Sequence, residues 1–271
     1  MADRAALPDR QELTERVAVD DETDGERATD GQSATLTLVP TPIGNLGDIT
    51  LRALEVLRAA DVIACEDTRH TRKLLTHFDI TGKRLIACHD HNEANSAAGI
   101  VKLLEEGKRV ALCSDGGTPL VNDPGFRVVA AVREAGFEVT ALPGASAVTT
   151  ALVVSGLPPD RFLYAGFPPR KPGRRRKWLA EVGSHGCTVV ALESPHRLPA
   201  FLSDALDVLG DVDAAVCLEL TKRFEEISTG PLSELVDTFA EPPRGEVTVV
   251  IDCNPPPEPA DDAAPEWPPL R

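Results

Sequence analysis

The segment Glu66-Asp67-Thr68-Arg69-His70-Thr71 puts two carboxylates, two hydroxyls, a guanidinium and an imidazole on six consecutive residues. Carboxylates and histidine are the usual general bases, so such a cluster could position a hydroxyl and accept its proton. The same residues would equally make a helix start capped by Asp67 or Thr68, its charges in water. A second stretch, Ser114-Asp115-Gly116-Gly117-Thr118-Pro119-Leu120-Val121-Asn122-Asp123-Pro124-Gly125, offers different chemistry. Gly116 and Gly117 lack a Cβ, so a ligand can lie against their backbone, while Pro119 and Pro124 fix φ around them. Pro143-Gly144-Ala145-Ser146 adds backbone N–H groups and small side chains at a helix start. Together the two loops suit a small zwitterionic ligand with an apolar part. Neither Gly-x-x-x-x-Gly-Lys-Ser/Thr nor Gly-x-Gly-x-x-Gly follows the first strand, which argues against the usual phosphate-loop and dinucleotide folds.

Two further groups carry charge. His89-Asp90-His91-Asn92-Glu93 has metal-ligand residue types, but His-x-His with nearby acids and no further partner reads better as a polar loop, and no metal is expected. Arg161, Arg170, Lys171, Arg174, Arg175, Arg176 and Lys177 form a basic cluster interleaved with Tyr164, Phe167 and Trp178. Cations hold phosphates and aromatic faces stack on unpaired bases, so this cluster is the expected RNA contact; a solvated helix face is the plainer reading.

The elements that must position these groups follow from periodicity. Residues 34–40 alternate as a strand, and Asp48 or Thr50 caps a helix with Leu51, Leu54, Val56 and Leu57 on its apolar face. Short apolar strands at 62–65, 84–88, 109–113 and 137–142 alternate with helical patterns, among them 95–106 and 125–135. That alternation predicts βαβ units and a largely parallel sheet. The polar segments 40–48, 66–71, 89–93, 114–125 and 143–146 then all leave strand C-termini and converge on one sheet edge, where open α/β sheets bind ligands. Gly156-Leu157-Pro158-Pro159 breaks the pattern. The expected organisation is an acidic disordered leader over 1–33, α/β domains over 34–156 and 157–253, and a Pro-rich acidic tail over 254–271. In the second half, strand-like runs fall at 161–166, 187–192, 213–219 and 246–252.

Composition sets the outer bounds. The chain has 271 residues, 42% of them hydrophobic and 26% charged, ordinary for a soluble globular protein. No apolar run reaches the roughly 18 residues of a membrane span, and the charged N-terminus has no signal-peptide core, so a cytoplasmic protein is expected. Six cysteines without a Cys-x-x-Cys pair read as buried free thiols. The net charge of −15 disfavours non-specific nucleic-acid binding, so any RNA site must be a local patch.

Taken in order, Val39-Pro40-Thr41-Pro42-Ile43-Gly44-Asn45-Leu46-Gly47-Asp48-Ile49-Thr50, Glu66 to Thr71, His89 to Glu93, Ser114 to Pro119 with Asn122 to Gly125, and Glu219-Leu220-Thr221-Lys222 closely resemble the ribosomal RNA small subunit methyltransferase I family. That family comprises 16S rRNA cytidine 2′-O-methyltransferases within the tetrapyrrole methylase superfamily. The resemblance covers about residues 34–253. It implies two α/β domains with S-adenosyl-L-methionine in the cleft between them, a homodimer, and methylation of a cytidine ribose of 16S rRNA in the small ribosomal subunit. Carried over, Pro40, Gly117, Thr118, Val121, Ser146 and Ala147 hold the cofactor with Asp115 beside them, and Glu193 and Leu220 line the second-domain side. For the chemistry, Glu66 or Asp67 is expected to accept or orient the ribose hydroxyl proton and Arg69 to hold a phosphate. His89, His91 and Asn92 would shape the nucleotide pocket, with Arg170, Lys171, Arg174 and Arg175 on RNA. The family often has alanine where this chain has Gly116, and many members continue into a small helical domain where this sequence turns Pro-rich after Asn254. Alternatives are a methyltransferase acting on a corrin or porphyrin precursor and a non-catalytic RNA-binding assembly protein.

Overall fold

Each strand of the first half is only four residues long, too short to stand alone, and each helix between them has an apolar stripe to bury. The computed structural model describes residues 34–89 and 93–255; the leader and tail expectations, like His91 and Asn92, lie outside the described residues, apart from Asn254 and Pro255. The first half runs β1 (Thr35–Leu38), α1 (Leu51–Ala59), β2 (Val62–Cys65), α2 (Thr68–His77), β3 (Arg84–Ala87), α3 (Glu93–Glu105), β4 (Val110–Cys113), α4 (Phe126–Glu134) and β5 (Glu138–Ala141). Thr50 does cap α1, its hydroxyl accepting from the Ala53 N–H at 3.1 Å. The five strands form one sheet in the order β3-β2-β4-β1-β5, every pairing parallel.

Strand alternation sorts the core onto two faces. Ile63, Cys65, Ala111 and Cys113 meet Ala53 and Leu57 of α1 and Leu75 of α2. Val62, Ala64, Val110 and Leu112 meet Ile100 and Leu104 of α3 and Val128 and Val132 of α4. The crossover leaving β1 therefore covers one face and the crossover leaving β4 the other. The crevice this reversal opens lies between the C-terminal ends of β1 and β4, the usual ligand position in such sheets.

The chain continues as α5 (Ala147–Val154), β6 (Phe162–Tyr164), α6 (Pro172–Gly183), β7 (Thr188–Glu193), α7 (Leu198–Leu209), β8 (Asp213–Leu218), β9 (Glu226–Pro231), α8 (Leu232–Thr238) and β10 (Val247–Ile251). The second sheet has the order β6-β7-β10-β8-β9 and is mixed: β6 and β7 are parallel, and the other pairings antiparallel. One face packs on Leu179 of α6, on α7 and on α8. The other receives Val148, Ala151 and Leu152 of α5 against Val190, Ala215, Cys217 and Val250. The helix that follows the last strand of the first sheet thus covers the second one. Strand β9 has no counterpart in the sequence reading: Glu226-Ile-Ser-Thr-Gly-Pro231 is polar, ends in Gly-Pro and sits at a sheet edge, where it needs no hydrophobic alternation.

Candidate functional site

The loops at the sheet edge are tied together by backbone polar groups. Thr41 and Gly117 exchange hydrogen bonds, Thr41 N–H to the Gly117 carbonyl at 3.0 Å and Gly117 N–H to the Thr41 carbonyl at 2.8 Å. The Thr41 hydroxyl donates to the Ser114 carbonyl at 3.1 Å, and the Thr118 hydroxyl to the Ala145 carbonyl at 3.2 Å. Gly117 has φ 88°, in the left-handed region where a side chain is strained, and a Cβ there would sit 3.3 Å from Ile43 Cγ2. The exits of β1, β4 and β5 are in this way one unit. Two carboxylates attach the remaining exits. Asp115 Oδ1 accepts the Asp67 N–H at 3.0 Å. Glu93 Oε1 accepts the N–H groups of Gly125 and Arg127, both at 2.9 Å, capping α4 where its N-cap Gly125 has no side chain to do so.

These loops and the second sheet enclose a cavity of about 900 Å³, toward the upper end of the usual range for ligand sites. Of the expected cofactor residues, Asp115, Gly117, Thr118, Val121, Ser146, Ala147 and Glu193 line it. Two are not among the lining residues. Pro40 lies under the Pro143-Gly144 turn, so close that a Cβ on Gly144 would meet Pro40 Cβ at 2.5 Å. Leu220 is buried in the apolar cluster with Val148 and Cys217. Both support the wall from behind.

The walls hold strain and unsatisfied polar atoms. Four of the five described non-glycine residues at positive φ are Leu120, Asn122, Glu219 and Thr221, in the two loops that face each other across the cavity; left-handed leucine and threonine are costly and persist where the surroundings impose them. On the second-sheet side, Glu193 is buried, with Oε1 accepting the Ser194 N–H at 2.6 Å and pairing with Arg197. Its Oε2, and the Tyr164 hydroxyl, are buried with no hydrogen-bond partner among the described residues. Burial, with Asp123 nearby, pushes the Tyr164 phenol up to about 12, so it stays protonated and keeps a donor to offer. Opposite, Lys222 lies against Gly44 and pairs with Glu219 and Glu246 at 2.9 and 3.1 Å. Burial lowers the Lys222 pKa, but those two carboxylates outweigh it and keep the ammonium charged.

The expected catalytic set is arranged differently. Glu66, Asp67 and Arg69 are not among the residues lining the cavity. Asp67 is the N-cap of α2, with Oδ1 accepting the Arg69 N–H at 2.8 Å. Its other oxygen pairs with the Arg69 guanidinium at 2.9 Å. Those side-chain and backbone hydrogen bonds hold its carboxyl at about 2, which makes it a poor base near neutrality. His70, Lys73 and His77 line the cavity instead; their i, i+3, i+7 spacing was in the sequence and marks one helix face.

Arg175 is the clearest departure from the expected RNA set. It is buried, its Nε donating to Asp204 at 2.7 Å and its Nη2 to the Ala200 carbonyl at 3.3 Å, so it locks α6 to α7 and presents no cation to solvent. Arg176 is likewise committed, to Asp204 and Asp207. Arg170, Lys171 and Arg174 are exposed. His89 is partly buried at the exit of β3.

Comparison with known proteins agrees with this architecture. Residues 35–236 match the tetrapyrrole (corrin/porphyrin) methylases, and the chain belongs to that family. Solved relatives share the fold: diphthine synthase superposes with a TM-score of 0.60 at 19% identity, over 80% of this chain and 90% of that one. A cobalt precorrin-4 methyltransferase gives 0.59 at 18%, over 82% and 96%. Within the family, the branch is that of the ribosomal RNA small subunit methyltransferases I. The Micromonospora olivasterospora protein of that name is 51% identical over 235 residues, 86% of this chain and 75% of its own length. Its Escherichia coli O157:H7 counterpart is 47% identical over 230 residues, 83% and 80%.

Proposed function

We propose that this chain transfers the methyl group of S-adenosyl-L-methionine to the ribose 2′-oxygen of a cytidine in 16S rRNA of the small ribosomal subunit, as a cytoplasmic homodimer. The observation that carries the reading is the cavity built from the glycine loop, the Ser146 turn and the facing wall of Tyr164 and Glu193. The small subunit named by relatives at 47–51% identity supports the substrate.

The cavity's chemistry fits the cofactor. Gly116 and Gly117 give close backbone approach, Ser146 and Ala147 keep a helix start open, and the unpartnered Glu193 Oε2 and Tyr164 hydroxyl offer an acceptor and a donor for a polar ligand. S-adenosyl-L-methionine, when bound, supplies a methyl group on a sulfonium that leaves as a neutral thioether. The protein's part is alignment: holding the 2′-oxygen in line can contribute about 7–11 kcal/mol. We assign Glu66, at the exit of β2 that leads into α2, to orient the ribose hydroxyl and accept its proton, while Asp67 caps α2 and pairs with Arg69. Arg170, Lys171 and Arg174 are assigned to RNA beyond the cavity.

The test is mass mapping of 16S rRNA from a strain lacking this chain, with add-back of the purified protein and S-adenosyl-L-methionine to its small subunits. A single 2′-O-methyl group on one cytidine should disappear in the deletion and return on add-back. An rRNA unchanged by deletion overturns the proposal.

A further inference from the structure

We infer that the solvent face of α2 is the docking surface for the RNA backbone beside the target nucleotide, an inference that rests on the proposed function. The expected RNA set, Arg170, Lys171, Arg174 and Arg175, runs into α6, yet Arg175 and Arg176 there are spent on Asp204 and Asp207.

Helix α2 reads Thr-Arg-His-Thr-Arg-Lys-Leu-Leu-Thr-His and holds no acid. Thr71, Leu74 and Leu75 are its buried stripe, which turns Arg69, Arg72, Lys73 and Thr76 outward at helical spacing. Arg69 is 88% exposed. With His77, these residues line an open depression of about 520 Å³. Lys73 and His77 line the 900 Å³ cavity as well, joined there by His70. The cationic strip therefore runs without a break from open surface into the cleft. Along the axis, Arg69 to His77 spans about 12 Å at 1.5 Å per residue, room for more than one phosphate.

Charge complementarity selects the occupant. On a chain of net charge −15, an acid-free helix face bearing Arg72, Lys73 and two histidines beside the paired Arg69 attracts a polyanion against the general field. The neighbouring carboxylate, Asp67, is neutralised by its pairing with Arg69. A single-stranded RNA fits because its backbone can follow the strip while one nucleotide enters the cavity, as recognition of unpaired RNA commonly requires.

Arg72 is the residue to test, because it lines the depression and not the cavity. Binding of a single-stranded oligonucleotide of the substrate sequence is measured against salt for the parent, Arg72→Glu, Arg72→Lys and, for comparison on α6, Arg174→Glu. S-adenosyl-L-methionine affinity is measured by calorimetry and methylation by steady-state kinetics. Arg72→Glu should bind RNA about tenfold more weakly, with a salt slope reduced by about 0.7 for one lost phosphate contact. Its KM for RNA should rise with kcat and cofactor affinity kept, and Arg72→Lys should restore most of the affinity. Parental affinity and slope in Arg72→Glu overturn the inference, as does a loss confined to Arg174→Glu. So does a loss seen only on assembled subunits and not on RNA, which would mean a protein partner. If the parent methylates rRNA and Arg72→Glu equals it, the surface is wrong and the function stands. If the parent binds RNA through Arg72 but methylates none, the function is wrong and the surface stands.

Discussion

At the scale of single residues, the decisive feature is how the polar groups of Glu66 to Thr71 are divided. Asp67 spends both oxygens on Arg69 and on the start of α2, and its carboxyl, held at about 2, is ionised at every pH where an enzyme works. Asparagine caps helices as well as aspartate does. Asp67→Asn should therefore keep the methylation rate within about twofold of the parent and leave its pH profile unchanged between pH 6 and 9. Glu66→Gln, by contrast, should lower kcat by about 10²-fold, the lower end of what a positioned acid–base group contributes. Steady-state methylation of small subunits across that pH range checks both. The cluster was legible in the sequence, but its division of labour was not, because hydrogen-bond partners 48 residues apart, such as Asp67 and Asp115, follow from strand order alone.

At the scale of elements, the cleft depends on carboxylates that stitch one strand exit to the next. Glu93, at the start of α3, caps α4 by taking two backbone N–H groups and approaches Arg127 at 3.8 Å. Since Gly125 cannot cap its own helix, Glu93→Ala should cost about 1–2 kcal/mol, the usual worth of a lost cap. The loosened segment, Asn122 to Gly125, borders the cavity. Urea unfolding should report the stability loss, and calorimetry should show weaker S-adenosyl-L-methionine binding by the folded variant. The sequence placed Glu93 in a polar exit without a purpose. The apolar periodicities of α1 to α4 were readable because each helix buries a local stripe; the edge strand β9 and the antiparallel pairings of the second sheet were not, since an edge strand carries no such stripe.

At the scale of the whole molecule, several ion pairs act in the same direction with pH. Hydrogen bonds from Arg69 lower Asp67, and the Arg109 backbone N–H lowers Asp61. The Glu246 backbone N–H and Lys222 lower Glu219. Burial raises Asp204, but hydrogen bonds from Arg176 and Arg175 outweigh it and leave that carboxyl low. Each group is held in its charged form more firmly in the folded protein than in the unfolded chain. Its contribution is then complete above the ordinary carboxylate pKa and is lost as pH falls through the lower, folded value. The urea midpoint should be nearly constant from pH 7 to about 5.5 and fall steeply below about pH 4. Asp204 should dominate the buried share, because Arg175 would otherwise lie buried without a counter-charge, and Asp204→Ala should cost about 3–5 kcal/mol at pH 7.

By itself the sequence determined what local chemistry determines. The alternation of short apolar runs with amphipathic helices dictates a parallel sheet, and the glycines and prolines of 114–125 and 143–146 dictate open turns at its edge. The ordered motifs resembled one methyltransferase family, to which the chain belongs. Only the tertiary structure decided which charges are spent on the fold and which face the cavity. Arg175 and Arg174 are neighbours in the chain, but helical rotation buries one against Asp204 and leaves the other in water. Pro40 and Leu220 are pushed behind the walls by packing, while His70, Lys73 and His77 come to the front. The physical reason is the same throughout: burial and pairing are set by neighbours distant in sequence, and a residue's type fixes only what it can do once those neighbours are in place.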